Sequence, residues 1–339
     1  MINEKYDISE MKEKIEGFPD QIMTSWEKGL SLRKEREPAN LVVTGMGGSA
    51  IAGDLLNDLL FQDIEIPIIV NRGYELPLFV NEQTLLLVSS YSGNTEETIQ
   101  SFQDGLKRKA TIVVFTSNGE IERIAENERL QVIKLPEGYP PRSALGFSFF
   151  SMLGLIKKFF EISMGNKDIE NLILNLTKLR NKLARSPNEI TELAEKVEEH
   201  IPLIHITRRL KSVALRWQTQ LNENSKTFAH INVIPEANHN EIVGLEFPRE
   251  MIKKMQLIFL RTENYENEQV AKRFPIAEDI LRGSLGGITT IKAEGDNKLE
   301  DMFSLIYKGD FLSFYLSSLL GVDPTPVKRI DLLKKRLKN

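Results

Sequence analysis

The chain has 339 residues, with 44 Lys and Arg against 48 Asp and Glu for a formal charge of −4, and 41% hydrophobic against 27% charged residues. So mild a balance argues against the concentrated basic surface that a nucleic-acid partner requires, and no apolar run reaches the ~18 residues of a membrane helix. The absence of cysteine removes disulfides, thiolate nucleophiles, Fe–S clusters and Cys-based zinc sites. The length suits two domains of ordinary size. The charged opening MINEKYDISEMKEK lacks a secretory apolar stretch, so a cytoplasmic protein with no membrane partner is expected.

The first half alternates short apolar runs with helical stretches. The runs are 40–44 (NLVVT), 66–71 (IPIIVN), 84–89 (TLLLVS), 111–115 (TIVVF) and 131–135 (QVIKL). They are β-branched and nearly continuous, as in strands buried on both faces of a parallel sheet. Helix-like segments separate them at 49–61, 95–109 and 121–128, and this order predicts a doubly wound α/β domain. A heavily apolar helix is predicted over 143–162, expected to lie buried between domains. The polar stretch 163–168 (SMGNKD) reads as a linker, and amphipathic helices follow at 169–184 and 187–199. The second half repeats the theme. Strands fall at 202–206, 230–234, 256–261 and 288–293, with helices at 209–226, 267–281 and 298–320 and a terminal helix from about 326. The fold class is therefore α/β, with two doubly wound parallel-sheet domains and flanking helices.

Two loops of the first half carry chemistry. After the first strand, VVTGMGGSAIAG places Gly45, Gly47 and Ala50 at the spacing of a dinucleotide fingerprint. The second strand, however, ends in Asn71-Arg72 and offers no carboxylate for a ribose. Glycines also suit a plain tight turn. The reading that fits better is a helix N-terminus with free N–H groups at Gly47 and Gly48 and the Ser49 hydroxyl beside them, open to an anionic or polyhydroxyl ligand. After the third strand comes SSYSGNTEET. Ser90, Ser92 and Thr95 gather three hydroxyls at one turn, Gly93 and Asn94 allow a left-handed backbone, and Thr95 opens the next helix. Thr95 with Thr98, or Asn94 with Glu97, would serve as a helix cap, but capping accounts for one hydroxyl rather than three. Hydroxyls and orphan amides together make a phosphate cradle without a lysine.

GMGGSA followed by SYSGNTEET resembles the sugar isomerase (SIS) domain family, which binds phosphosugars with this loop. PRSALG at 141–146, QLNENSK at 220–226 and NHNE at 238–241 narrow the resemblance to the bifunctional phosphoglucose/phosphomannose isomerase family, over nearly the whole chain. The resemblance implies two SIS-type domains, 1–165 carrying the phosphate loop and 166–339 carrying the catalytic glutamate and C-terminal helices. It implies interconversion of glucose 6-phosphate or mannose 6-phosphate with fructose 6-phosphate through a cis-enediol, with no metal and no nucleotide cofactor.

The same resemblance assigns roles. Taken alone, Glu223 reads as a solvated helix glutamate; the glutamate of the matching motif is the proton-transfer base. His239, one of four histidines with His200, His205 and His230, corresponds to the ring-opening histidine that reaches the active site from the neighbouring subunit, which implies a homodimer. Zinc is disfavoured, because His230 and His239 do not lie at i, i+4 spacing and no cysteine assists. Arg142, which follows two prolines and presents a planar fork of donors, corresponds to the arginine that steadies the enediolate. The family's late lysine matches Lys334 best, with Lys328 and Lys335 as alternatives in a Lys/Arg-rich helix, and Thr325 matches a threonine near the sugar. One departure stands out: after the strand at 202–206 the chain runs TRRL where the family often has a glycine-bearing turn, which leaves one phosphate loop per chain. Two rival readings remain: a phosphosugar-binding regulator on an SIS fold, disfavoured by Glu223, His239 and Arg142 together, and an isomerase of another phosphosugar.

Overall fold

The computed structural model describes residues 4–337. Their contacts divide them into two compact units, one of residues 17–174 and one of the residues up to Glu16 together with those from Asn175 on. Among the described residues no helix is long and apolar enough to cross a membrane.

The unit of residues 17–174 holds five strands: β1 (Asn40–Thr44), β2 (Ile68–Asn71), β3 (Thr84–Ser89), β4 (Thr111–Thr116) and β5 (Gln131–Lys134). All pair in parallel, in the order β2-β1-β3-β4-β5. β3 is buried along its whole length and β1 from Leu41 onward. Helices cover both faces, which is why these runs are continuously apolar rather than alternating. The helices Ile51–Leu60, Glu96–Lys107 and Glu120–Asn127 follow β1, β3 and β4. The chain steps from β1 outward to β2 and then returns to lay β3 on the other side of β1. Such a reversal opens a crevice beyond the carboxyl ends of the two central strands.

Three details differ from the sequence reading. The apolar helix is shorter, Leu145–Phe159, and Pro141–Ser143 forms a separate 3-10 turn, whose Ser143 carbonyl accepts from Gln21 Nε2 at 2.9 Å. Within its unit this helix packs most extensively on the helix Ile22–Ser31, an element the sequence reading passes over. The stretch SMGNKD is helical from Asn166. There the Asp168 carboxylate accepts the Gly165 N–H at 2.8 Å, and the Asn166 amide oxygen accepts the Trp26 indole N–H at 2.8 Å.

The second unit carries β6 (Ile201–Thr207), β7 (His230–Ile234), β8 (Met255–Arg261) and β9 (Gly287–Lys292), again parallel, in the order β7-β6-β8-β9. This is the arrangement of the first four strands of the other sheet, as the repeated pattern in the sequence leads one to expect. Its core includes Leu257, Phe259, Phe274 and Leu281. The 22-residue helix Lys298–Leu319 is buried on nearly every face, as an all-round apolar helix must be. Its internal charges are all engaged: Lys308 Nζ meets Glu189 and Glu294 at 2.8 Å each, and Asp310 meets Arg216 at 2.8 Å. Thr207 leads into a 3-10 turn, Arg208–Leu210, with no glycine.

Candidate functional site

In the first unit the sequence-selected loops converge where β1 and β3 end. Gly47–Ser49 forms a 3-10 turn, with Gly47 at φ +50°. A Cβ on Gly48 would stand 3.0 Å from the Arg142 backbone nitrogen, so only glycine lets the first loop lie against the Pro141–Ser143 turn. Ser49 Oγ accepts the Tyr91 N–H at 3.1 Å and so joins the glycine loop to the serine loop.

The serine loop is a closed turn. Ser90 N–H donates to Phe115 O at 3.0 Å and Gly93 N–H to Ser90 O at 3.1 Å. Gly93 adopts φ +64°, and a methyl there would sit 1.6 Å from the Asn118 carbonyl oxygen. Thr95 is the N-cap of Glu96–Lys107 with extended backbone, yet its side chain makes no capping hydrogen bond. Its hydroxyl lies instead 3.1 Å from the Ser90 hydroxyl. A capping threonine would have spent its oxygen on the first-turn amides, and Thr95 does not. Ser90 is buried and Ser92 exposed, with Ser92 Oγ accepting the Asn94 N–H at 3.4 Å. The Arg142 side chain is buried.

Tyr91 was not singled out in the sequence, although it sits inside the motif. Its hydroxyl donates to Pro136 O at 2.6 Å and accepts the Tyr139 N–H at 2.9 Å, while its carbonyl accepts from Ser117 Oγ at 2.5 Å. The residue thus ties the serine loop to the segment leading into the Arg142 turn.

In the second unit the predicted helix 209–226 is interrupted. The α-helix Lys211–Gln220 passes into a π-helical turn, Leu221–Ser225, and Lys226 then adopts the left-handed conformation at φ +59°. Widened turns of this kind concentrate at functional sites. Glu223 sits half-buried in the middle of it. The turn is held from below by the Lys298–Leu319 helix. Asn224 Nδ2 donates to Ser313 Oγ at 2.9 Å, and Gln220 Nε2 to Asp310 Oδ1 at 2.9 Å. Arg216 donates to both Asp310 oxygens, at 3.1 and 2.8 Å. Burial pushes the Asp310 carboxyl up, against the opposing pull of the guanidinium. Lys226 Nζ donates to Glu223 O at 2.6 Å and to Pro324 O at 3.1 Å, which brings the Pro324–Thr325 segment beside the backbone of Glu223. Thr325 itself is partly buried.

His239 ends a 3-10 turn, Glu236–His239, and is exposed. Lys334 is exposed on the helix Lys328–Leu337, as are Lys328 and Lys335. The structure therefore groups Gly47, Gly48, Ser49, Ser90, Thr95 and the Arg142 turn in one unit, and Glu223 with the Pro324–Thr325 segment in the other. Ser92, His239 and Lys334 stand on solvent-facing surfaces. Among the described residues no cluster of three or more His, Asp or Glu has the geometry to hold a metal ion.

Comparison with known proteins follows the same lines. Residues 186–337 match the family model described as bacterial phospho-glucose isomerase C-terminal SIS domain. A bifunctional phosphoglucose/phosphomannose isomerase of Caldicellulosiruptor bescii is 39% identical, over 96% of this chain and 98% of its own. One from Aquifex aeolicus is 32% identical, over 98% and 99%. Among solved structures, a hypothetical protein of Thermus thermophilus superposes with a TM-score of 0.75 at 16% identity, covering 99% of this chain and 92% of its own. A glucose-6-phosphate isomerase like protein of the same organism gives 0.64 at 19%, covering 95% and 96%. At such identities these structures speak for the fold alone.

Proposed function

The chain belongs to the bifunctional phosphoglucose/phosphomannose isomerase family, and from that premise we propose how its residues interconvert glucose 6-phosphate or mannose 6-phosphate with fructose 6-phosphate. Ser49, Ser90, Ser92 and Thr95 hold the 6-phosphate, together with the amides of Gly47 and Gly48 and those at the start of the Glu96–Lys107 helix. His239 and Lys334 move the protons that open the sugar ring. Glu223 takes the proton from C2 and returns it to C1, and Arg142 steadies the oxygen of the cis-enediolate between the two steps. Once C2 is planar the two aldose epimers share one intermediate, so one site serves both.

The observation that carries the reading is the Ser90–Thr95 pair. Two hydroxyls lie 3.1 Å apart at a helix N-terminus, with the threonine withheld from capping, at the sheet's switch point. That is chemistry suited to a phosphate dianion. For Glu223, support comes from the π turn, which sets the carboxylate apart from the regular helical face. For the remaining roles it comes from family membership. We further propose that the protein works as a homodimer with His239 supplied across the interface. Support comes from family membership and from exposure: His239 faces solvent, and Val243, Phe247 and Met251, shortly after it in the chain, expose 66%, 66% and 50% of their surfaces.

The test is a paired assay on one preparation, with chelator present. Fructose 6-phosphate should form from both aldose phosphates, and Glu223→Gln should lose both activities together while retaining phosphosugar binding. A Glu223→Gln protein that keeps either activity excludes the base assignment.

A further inference from the structure

The Glu241 carboxylate is the most heavily hydrogen-bonded acid near the proposed ring-opening histidine, and nothing in the mechanism above uses it. It stands two residues beyond His239, at the first position of the short helix Glu241–Gly244. His205, buried in β6, donates from Nε2 to Glu241 Oε1 at 2.8 Å. His230, at the start of β7, donates from Nε2 to Oε2 at 3.2 Å. Asn232 Nδ2, also on β7, donates to the same oxygen. One carboxylate thus bridges two neighbouring strands to the loop that presents His239. The loop is fixed on its other side as well: Ala237 is buried in the core with Leu245, and Asn240 Nδ2 donates to Glu236 Oε1 at 2.8 Å. Burial of Glu241 works against its ionisation, but His205, Asn232 and His230 together outweigh it, through hydrogen bonds and electrostatic attraction, and hold the carboxyl at about 2, so the carboxylate is ionised at neutral pH.

We propose that Glu241 is a positioning residue for His239. Its clamp on His205, His230 and Asn232 fixes the 236–241 loop so that the imidazole meets the sugar ring in one orientation. This rests on the reading of His239 as the ring-opening group. Misplacing a catalytic group by about 1 Å costs on the order of 10²-fold, and a loop relieved of its ionic anchor has that freedom. A role confined to folding would act on every catalytic step alike; a positioning role acts only while His239 is present.

The experiment is a double-mutant cycle on the full-length protein with glucose 6-phosphate, comparing wild type, Glu241→Gln, His239→Ala and the double variant. Glu241→Gln should lower kcat roughly 10- to 100-fold with little change in KM, and should cost less than about threefold when His239 is already alanine. Should Glu241→Gln not accumulate as folded protein, Asn232→Ala removes one donor of the same clamp and should show the same dependence on His239 at smaller amplitude. A wild-type kcat in Glu241→Gln, or an equal loss with and without His239, overturns the proposal. His239→Ala at wild-type rate overturns the ring-opening reading itself, and the positioning role with it.

Discussion

Replacing Gly93 by alanine tests the phosphate cradle most directly. At φ +64° an L residue pays about 1–2 kcal/mol for the left-handed conformation. The larger effect is steric. The added methyl would lie 1.6 Å from Asn118 O and 2.7 Å from its carbonyl carbon, so a gap of about 2 Å must open before ordinary contact is restored. Asn118 is not free to yield. Its carbonyl accepts from Thr116 Oγ1 at 2.8 Å, which ties it to the last residue of β4. The serine loop moves instead, taking with it Ser92 and Thr95 on either side. A displacement of about 1 Å or more at groups that position a substrate costs on the order of 10²-fold. Gly93→Ala should therefore lower kcat/KM about 100-fold, chiefly through KM, in a coupled assay from fructose 6-phosphate. A urea melt should show about 2–5 kcal/mol of lost stability, the sum of the backbone and steric costs. Gly73→Ala, where the methyl meets nothing within 4 Å, is the control and should behave as wild type. A Gly93→Ala enzyme with wild-type KM would refute the idea that this turn grips the phosphate.

Other perturbations read separate parts of the structure. Ser90→Ala and Thr95→Val each remove one hydroxyl from a charged ligand, worth about 1.5–3 kcal/mol, so KM should rise roughly tenfold or more with kcat little changed; a loss confined to kcat would count against a binding role. Asp310→Asn strips the buried Arg216 of its counter-charge and should cost about 3–5 kcal/mol in a urea melt, and a loss under about 1 kcal/mol would show that the pair is not a stabilising prop. The Glu241 carboxyl is held at about 2 against an ordinary value of 4.5. A folded-state pKa below the unfolded one gives stability that is complete above about pH 4.5 and is lost as the pH falls toward 2. That contribution is on the order of 2–3 kcal/mol once its partial exposure is allowed for. The acid limb of the stability curve should flatten in Glu241→Gln, and an unchanged limb would contradict the sign.

The five strands of the first sheet were legible because burial on both faces leaves continuous β-branched runs, and the place of the serine loop was legible because Gly93 and Asn94 interrupt the chain between an apolar run and a helix. The helices before β1 were not. Met11–Glu16 and Ile22–Ser31 are separated by Gly17 and Pro19, and their shortness hides a period that tertiary packing supplies. The π turn was invisible for a different reason. Adding one residue to a turn leaves the composition unchanged, so the pattern through 226 reads as one helix while the backbone changes winding at Leu221. The supports of Glu223 were equally hidden: Ser313 and Asp310 act on Asn224 and Gln220 from about ninety positions away, a separation at which a single sequence carries no pairing signal. Lys226 and Tyr91 lay inside recognised motifs, but their hydrogen bonds run to Pro324 and Pro136, partners fixed only by folding.

The widened turn has a consequence for how this protein tolerates change. Deleting a single residue between Leu221 and Ser225 would let the coil wind regularly to its end and would recover ordinary i→i−4 bonding. It would also swing whatever follows by about 100° around the axis, so a carboxylate at that place would face elsewhere. On the proposed role of Glu223, selection for a firmer scaffold and selection for turnover pull in opposite directions on one amino acid's worth of length, and a gap at this spot in a descendant sequence would mark a protein that has kept its shape and given up its trade.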